Sequence, residues 1–300
     1  MAEVSAKQQV MEKQSAGVRL SSTTIVMSAR RFLLHLVLAT ASLVFITPVA
    51  WMLSTSLKGT GREFTYPPQL IPHPVVWRNY LTVLQAVPFD LWFRNTIYIT
   101  MAALAGTVLT ASMAGYALAR LRFREREAWL LLVISTMMLP GVVTLIPRFL
   151  IFKSLGWMNT FWPLIVPSWC GGGAFSVFLF RQFFASIPLD FDEAARMDGA
   201  SSFLIYRKLI MPLSQPVLAT VAIFSFLDNW NAFMEPLIYL GSREKFTLAI
   251  GLNSFRGRYG TYYALLMAAS AITVIPIIVL FFFTQRYFIQ GITITGLAGR

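Results

Sequence analysis

The sequence predicts an all-α, polytopic membrane protein with six transmembrane helices and a pair of short helices held outside the bilayer. Three observations carry this. Hydrophobic residues make up 56% of the 300-residue chain and charged residues 13%, with a mean hydropathy of +0.63; a soluble domain carries about 25% charge. Six apolar segments each approach the roughly 20 residues that a hydrocarbon core of about 30 Å requires. Between the fourth and fifth lies a polar stretch, residues 190–212, reading DFDEAARMDGASSFLIYRKLIMP.

Residues 1–31 are polar, with Lys7, Lys13, Arg19, Arg30 and Arg31, and read as an N-terminal tail. The first span covers residues 32–53. Ala39-Thr40-Ala41 has the form of a signal-cleavage site, but the apolar run continues past it, so the segment reads as an uncleaved anchor. His35, alone within this span, reads as a packed or interfacial side chain. Residues 54–91 form a loop punctuated by Lys58-Gly59, Thr60-Gly61, Pro67-Pro68, Pro72, Pro74 and Pro88. Trp77, Tyr80 and Trp92 are expected to form an aromatic belt at the interface.

The second span covers residues 93–118, and a basic turn from Arg120 to Glu127 follows. The third, residues 128–150, is interrupted by Pro147 and by Pro140-Gly141, which can act as a kink or hinge. The fourth, residues 161–180, contains Gly171-Gly172-Gly173. These let a neighbouring helix approach or let the span unwind, close packing being the preferred reading. The fifth span covers residues 213–234, with Pro216 near its start. A loop over 235–263 leads to the sixth, residues 264–283, which contains Pro276. The domain organisation is a tail (1–31), one six-helix transmembrane domain (32–291) and a second tail (292–300).

With the N-terminus inside, the inner segments hold the majority of the 25 lysines and arginines, among them Arg120, Arg122, Arg124, Arg126, Arg196, Arg207 and Lys208. Both termini and the 190–212 loop are therefore expected on the cytoplasmic side. These loops account for the net charge of +12 without a nucleic-acid partner. The single Cys170 excludes an internal disulfide and a CxxC metal site. The chain has no GxxxxGK[ST] and no HExxH, and its two histidines, His35 and His73, suggest no catalytic set. An enzyme reading lacks a nucleophile, a base and a metal.

Two constellations remain. In FSFLDNWNAFMEPL, the fifth span gathers Asp228, Asn229, Trp230 and Asn231. Ionisable groups within a span face the bundle interior or water. Carboxylate and amide groups suit sugar hydroxyls and an indole suits a ring face, although the same residues could serve as packing glue. Asp228 and Asn231, three apart, share a face and are expected to line a pathway, with Asn229 beside them; Trp230 points elsewhere and is expected to pack.

The other is the 190–212 loop. Asp190 or Asp192 is expected to cap a short helix through Glu193 to Met197, Gly199 to supply a left-handed turn, and Ser201 or Ser202 to cap a second helix, residues 203–211, closed by Pro212. Glu193-Ala194-Ala195, then Gly199, then Leu209-Ile210-Met211-Pro212 resembles the EAA loop of ABC-transporter permease subunits, with Leu209 and Met211 as conservative departures. The Trp230-Asn231 stretch is similar to that of carbohydrate-type permeases, though Ala232 stands where Glu is common. The whole chain resembles the MalG-type permease subunit of sugar-uptake ABC importers, of MetI-like architecture.

The resemblance implies that Asp192, Glu193, Ala194, Ala195, Met197, Asp198, Gly199 and Pro212 couple to a separate ATPase, and that Gly296, Leu297 and Gly299 of the C-terminal tail reach it too. It also implies a second, MalF-like permease subunit, a MalK-like ATPase dimer that holds the ATP and magnesium, an extracellular solute-binding protein, and a prokaryotic plasma membrane. No cofactor is expected on this chain. Competing readings are an importer of another solute, such as glycerol phosphate or an oligopeptide, and a polytopic receptor or channel without an ATPase.

Overall fold

The computed structural model describes the backbone of residues 2–257 and 260–297 and the side chains of residues 27, 30–256 and 262–285. Helix α1 (Ala2–Ser56) continues unbroken from the expected tail into the first span. Its apolar part, Arg30–Ser56, packs against the last helix, α14 (Tyr263–Leu297); most of it is exposed, and only its end, Ser54, Thr55 and Ser56, is buried. The loop after α1 contains a helix the sequence did not signal, α2 (Arg78–Ala86). Asn79 holds it in place: its Nδ2 donates to the carbonyls of Ser56 and Lys58, each at 2.8 Å.

Helix α3 (Phe89–Arg120) is the centre of the bundle, and its apolar stretch is the most buried of the four long spans. Helices α4 (Arg126–Met137) and α5 (Gly141–Ser154) are the two halves of the expected third span. They meet at a 100° bend at Pro140, sharper than a simple kink. Helices α6 (Trp162–Trp169) and α7 (Ala174–Ser186) form the fourth, and both pack on α3.

Between α6 and α7 the span does unwind, contrary to the preferred expectation. Gly171, Gly172 and Gly173 have φ of 107°, 66° and 84°, a region L-residues avoid. Close packing is present as well, because a Cβ on Gly172 would stand 2.6 Å from the Thr107 carbonyl oxygen of α3.

The polar loop folds as α8 (Asp190–Met197), then a helical run of α9 (Ser202–Ile205), a π-turn (Tyr206–Ile210) and α10 (Met211–Leu213). Pro212 does not close this run. It lacks an amide hydrogen and its ring crowds the carbonyl four residues back. The turn ahead of it widens instead, with the Met211 amide donating to Tyr206, five residues back. After an 82° bend at Ser214 the chain enters α11 (Gln215–Trp230). The fifth span thus ends at Trp230 rather than at residue 234.

Two short helices, α12 (Met234–Tyr239) and α13 (Leu248–Asn253), and a two-residue ribbon, Arg256–Gly257 against Gly260–Thr261, precede α14. Asn159, in the left-handed region at φ 56°, accepts from the amides of Gly241 and Ser242 and so ties the loop after α5 to the loop after α12. Among the described residues four helices are long and apolar enough to cross a membrane, and with each bent pair taken as one span the number is six.

Three apolar clusters surround α3. One joins its α8 end to α7 and the helical run through Tyr116, Phe180, Phe184, Ile205 and Ile210. A second joins it to α11, α13 and α14 through Trp92, Phe226, Trp230 and Leu248. A third joins it to α5, α6 and α12 through Ile99, Phe152, Leu164 and Tyr239. Of the expected aromatic belt, Trp77 is exposed, but Trp92 lies in the second cluster with its Nε1 donating to the Arg243 carbonyl.

Candidate functional site

The α8–α10 hairpin is built from local chemistry and then bolted to α3. Leu189 occupies the N-cap of α8 and no side chain caps it. Asp190 and Asp192 lie in the first turn, where with Glu193 they offset the exposed amides and dipole of the helix start. Gly199 turns the chain at φ 79°, and its amide donates to the Arg196 carbonyl. Ser201, not Ser202, caps the next helix by accepting from the Leu204 amide at 3.3 Å.

The residues of this loop divide into two sets. Glu193, Ala194, Met197, Asp198, Gly199 and Pro212 are exposed, Met197 to 89%. Ala195 is half-buried against the α3–α7 cluster. Asp192 corrects the expectation of an outward-facing coupling residue. Its carboxylate is buried beneath α8, 3.6 Å from the Arg120 guanidinium, with side-chain exposures of 7% and 1%. The Nη2 of Arg120 also donates to the Ile187 carbonyl at 2.6 Å.

Two further bonds lie in line with that pair. The Tyr116 hydroxyl donates to the Ser202 carbonyl at 3.0 Å, and the Ser112 and Tyr206 hydroxyls share a bond at 2.7 Å. Ser112, Tyr116 and Arg120 follow at four-residue intervals on one face of α3. This polar ladder was not recognised from the sequence, where Arg120 reads as one more charge in a basic turn. The i, i+4 spacing of polar groups in an apolar span was the available signal.

On the far side of the 82° bend, α11 borders a cavity of about 340 Å³ between α5, α6, α7 and α12. Asp228 and Asn229 line it, and Asn231 does not. Asn231 is the C-cap of α11, exposed, with its Nδ2 returned to the Leu227 carbonyl at 2.9 Å. The expected pairing of Asp228 with Asn231 is therefore replaced by Asp228 with Asn229. Trp230 packs as expected: it is buried, stacked on Phe226 at 5.2 Å and bonded to the Thr273 carbonyl at 3.2 Å.

Across the cavity, Arg148 of α5 meets Glu235 of α12 at 2.7 Å. This ion pair was missed because its partners are far apart in sequence. The Gly171–Gly173 break opens the cavity wall, and Phe175 and Phe224 add an edge-to-face aromatic pair at 5.7 Å. Of the expected tail contacts, Gly299 lies outside the described residues. Gly296 and Leu297 continue the backbone of α14, but nothing beyond their backbone is described.

Broken spans around a polar cavity, with an anchored hairpin outside the bundle, define a transport permease. The chain belongs to the family of binding-protein-dependent transport system inner membrane components, whose model matches residues 106–294. It is 36% identical to the arabinooligosaccharides transport system permease protein AraQ of Halalkalibacterium halodurans, over 82% of this chain and 86% of that protein. It is 34% identical to AraQ of Bacillus subtilis, over 91% and 97%. A bacterial ABC transporter involved in the import of the acidic polysaccharide alginate contains a chain that superposes with a TM-score of 0.75 at 25% identity, covering 84% of this chain and 94% of its own. The family resemblance read from the EAA loop is thus borne out.

Proposed function

We propose that the protein is the multi-pass permease subunit of an ATP-driven, binding-protein-dependent importer of sugars or oligosaccharides. It forms half of the translocation path with a second permease subunit. A separate ATPase dimer hydrolyses ATP with its magnesium, and an extracellular binding protein delivers the sugar. The hairpin and both termini lie on the cytoplasmic side.

The observation that carries this reading is a pair of helical segments joined directly at one bend. The helical run from Ser202 to Leu213 begins at the exposed hairpin, and after the bend at Ser214 it becomes α11, which ends beside the cavity at Asp228 and Asn229. A displacement of α8 by the ATPase acts on α3 through the Arg120–Asp192 pair and on α11 through this run. The cavity would then open alternately to the two sides. The relatives named for arabinooligosaccharides support sugar as the cargo class.

The test is reconstitution of the chain with a second permease, an ATPase and a binding protein from the same organism, followed by uptake of labelled arabinotriose into vesicles. The reading predicts uptake that requires both ATP and the binding protein. Uptake indifferent to ATP would place the chain among channels.

A further inference from the structure

We infer that the cavity beside Asp228 is a charge filter: it admits neutral sugars and turns away acidic ones, and Asp228 is the residue that discriminates. The inference rests on the proposed reading that this cavity lies on the translocation path.

Among the described residues three charged side chains line the cavity: Arg148, Asp228 and Glu235. Arg148 and Glu235 close on one another at 2.7 Å, so the one cation in the lining is already matched. Asp228 belongs to neither ion pair found among the described residues. One negative charge is left over, in a space near the ~300 Å³ lower end of ligand-site volumes. A carboxylate or sulfonate entering so small a space comes within a few ångströms of Asp228. Like charges at that range repel more strongly than in open water.

The uncharged lining suits a neutral carbohydrate. Ser225 is buried at the cavity edge, and its Oγ lacks a partner among the described residues. Asn229 spends its Nδ2 on the Ser225 carbonyl at 2.7 Å and keeps its amide oxygen as an acceptor. The Phe175 and Phe224 rings supply apolar faces for the C–H side of a sugar ring. A carboxylate such as Asp228 accepts from the hydroxyls that both kinds of sugar carry, but the ionised carboxylate of a uronate offers it no donor.

The experiment places a thiol in the cavity by Ser176→Cys, in a Cys170→Ser background, within the assembled transporter. Its reaction rates with a cationic and an anionic methanethiosulfonate are compared, and protection by arabinotriose and by trigalacturonate is measured at equal ionic strength. The filter predicts that Asp228→Asn lowers the cation-to-anion rate ratio about tenfold, and that arabinotriose protects where trigalacturonate does not. It also predicts that raising salt to about 1 M shrinks the ratio in the chain that keeps Asp228, a measurement that needs no change at the filter residue.

A ratio indifferent to both Asp228→Asn and salt overturns the filter. So does protection by trigalacturonate equal to that by arabinotriose while Asp228 is in place. A thiol that reacts with neither reagent, in the nucleotide-free and nucleotide-trapped states alike, overturns the pathway reading itself and the filter with it.

Discussion

Arg120 and Asp192 face each other at 3.6 Å, both buried, where the end of α3 meets the first turn of α8. Each charge also opposes the helix end it sits on, cation at a C-terminus and anion at an N-terminus, so the dipoles reinforce the pair. Removing one partner leaves a buried charge alone, at a cost of about 3–5 kcal/mol, whereas replacing both by apolar groups can be nearly neutral. Asp192→Ala is therefore expected to loosen the hairpin and lower transport, with Arg120→Met/Asp192→Leu recovering much of the lost thermal stability. A double variant that is simply the sum of its singles would contradict a direct pairing.

Gly199 turns the hairpin at φ 79°, and a Cβ added there would meet nothing within 4 Å. The cost of a side chain there is backbone strain alone, about 1–3 kcal/mol for a β-branched residue. Gly199→Val is expected to reduce ATP-coupled uptake while leaving membrane insertion intact, and Gly199→Asn to be milder because Asn tolerates the left-handed region. Equal uptake by the parent and the Val variant would remove the turn argument.

Gly172 and Gly173 separate strain from close packing. Both have positive φ, but a Cβ on Gly172 would meet the Thr107 carbonyl oxygen at 2.6 Å, and a Cβ on Gly173 would meet nothing within 4 Å. Gly172→Ala is expected to lower the melting temperature by clearly more than Gly173→Ala. The same shift for both would mean that the contact with α3 adds nothing.

The Arg148–Glu235 pair is about one-third exposed on each side. At that exposure its contribution to stability is expected to stay below about 1 kcal/mol. Arg148→Ala and Glu235→Ala should each change the melting temperature little, and the double variant no more than the worse single. A large loss from either would mean that the pair holds α5 and α12 together structurally.

The parts legible in the sequence are those governed by local chemistry. The apolar lengths marked the spans, Gly199 marked the turn, the Ser201-Ser202 pair marked the cap without saying which of the two makes it, and Pro140-Gly141 marked the break that became a 100° bend. What was not legible depends on partners far apart in the chain. Asp192 could not be told from Glu193 until α3 placed Arg120 beneath it. Arg148 and Glu235 meet because the 100° bend between α4 and α5 and the break between α11 and α12 carry them there. Pro212 shows a different limit: its stop signal was real, but a widened turn absorbed it and carried the run on to Leu213, just short of the 82° bend.

The central claim is that the exposed face of α8 docks on an ATPase subunit while its buried face holds α3. Ala194 is exposed and Ala195 is half-buried, and the two are adjacent in the chain. The most direct measurement is oxidative cross-linking of Ala194→Cys and Ala195→Cys, each in a Cys170→Ser background, against cysteines placed around the docking cleft of the ATPase. The account predicts an efficient, nucleotide-sensitive cross-link from position 194 and a much weaker one from 195. Cross-links from 194 to the second permease alone, with none to the ATPase in any nucleotide state, would contradict it.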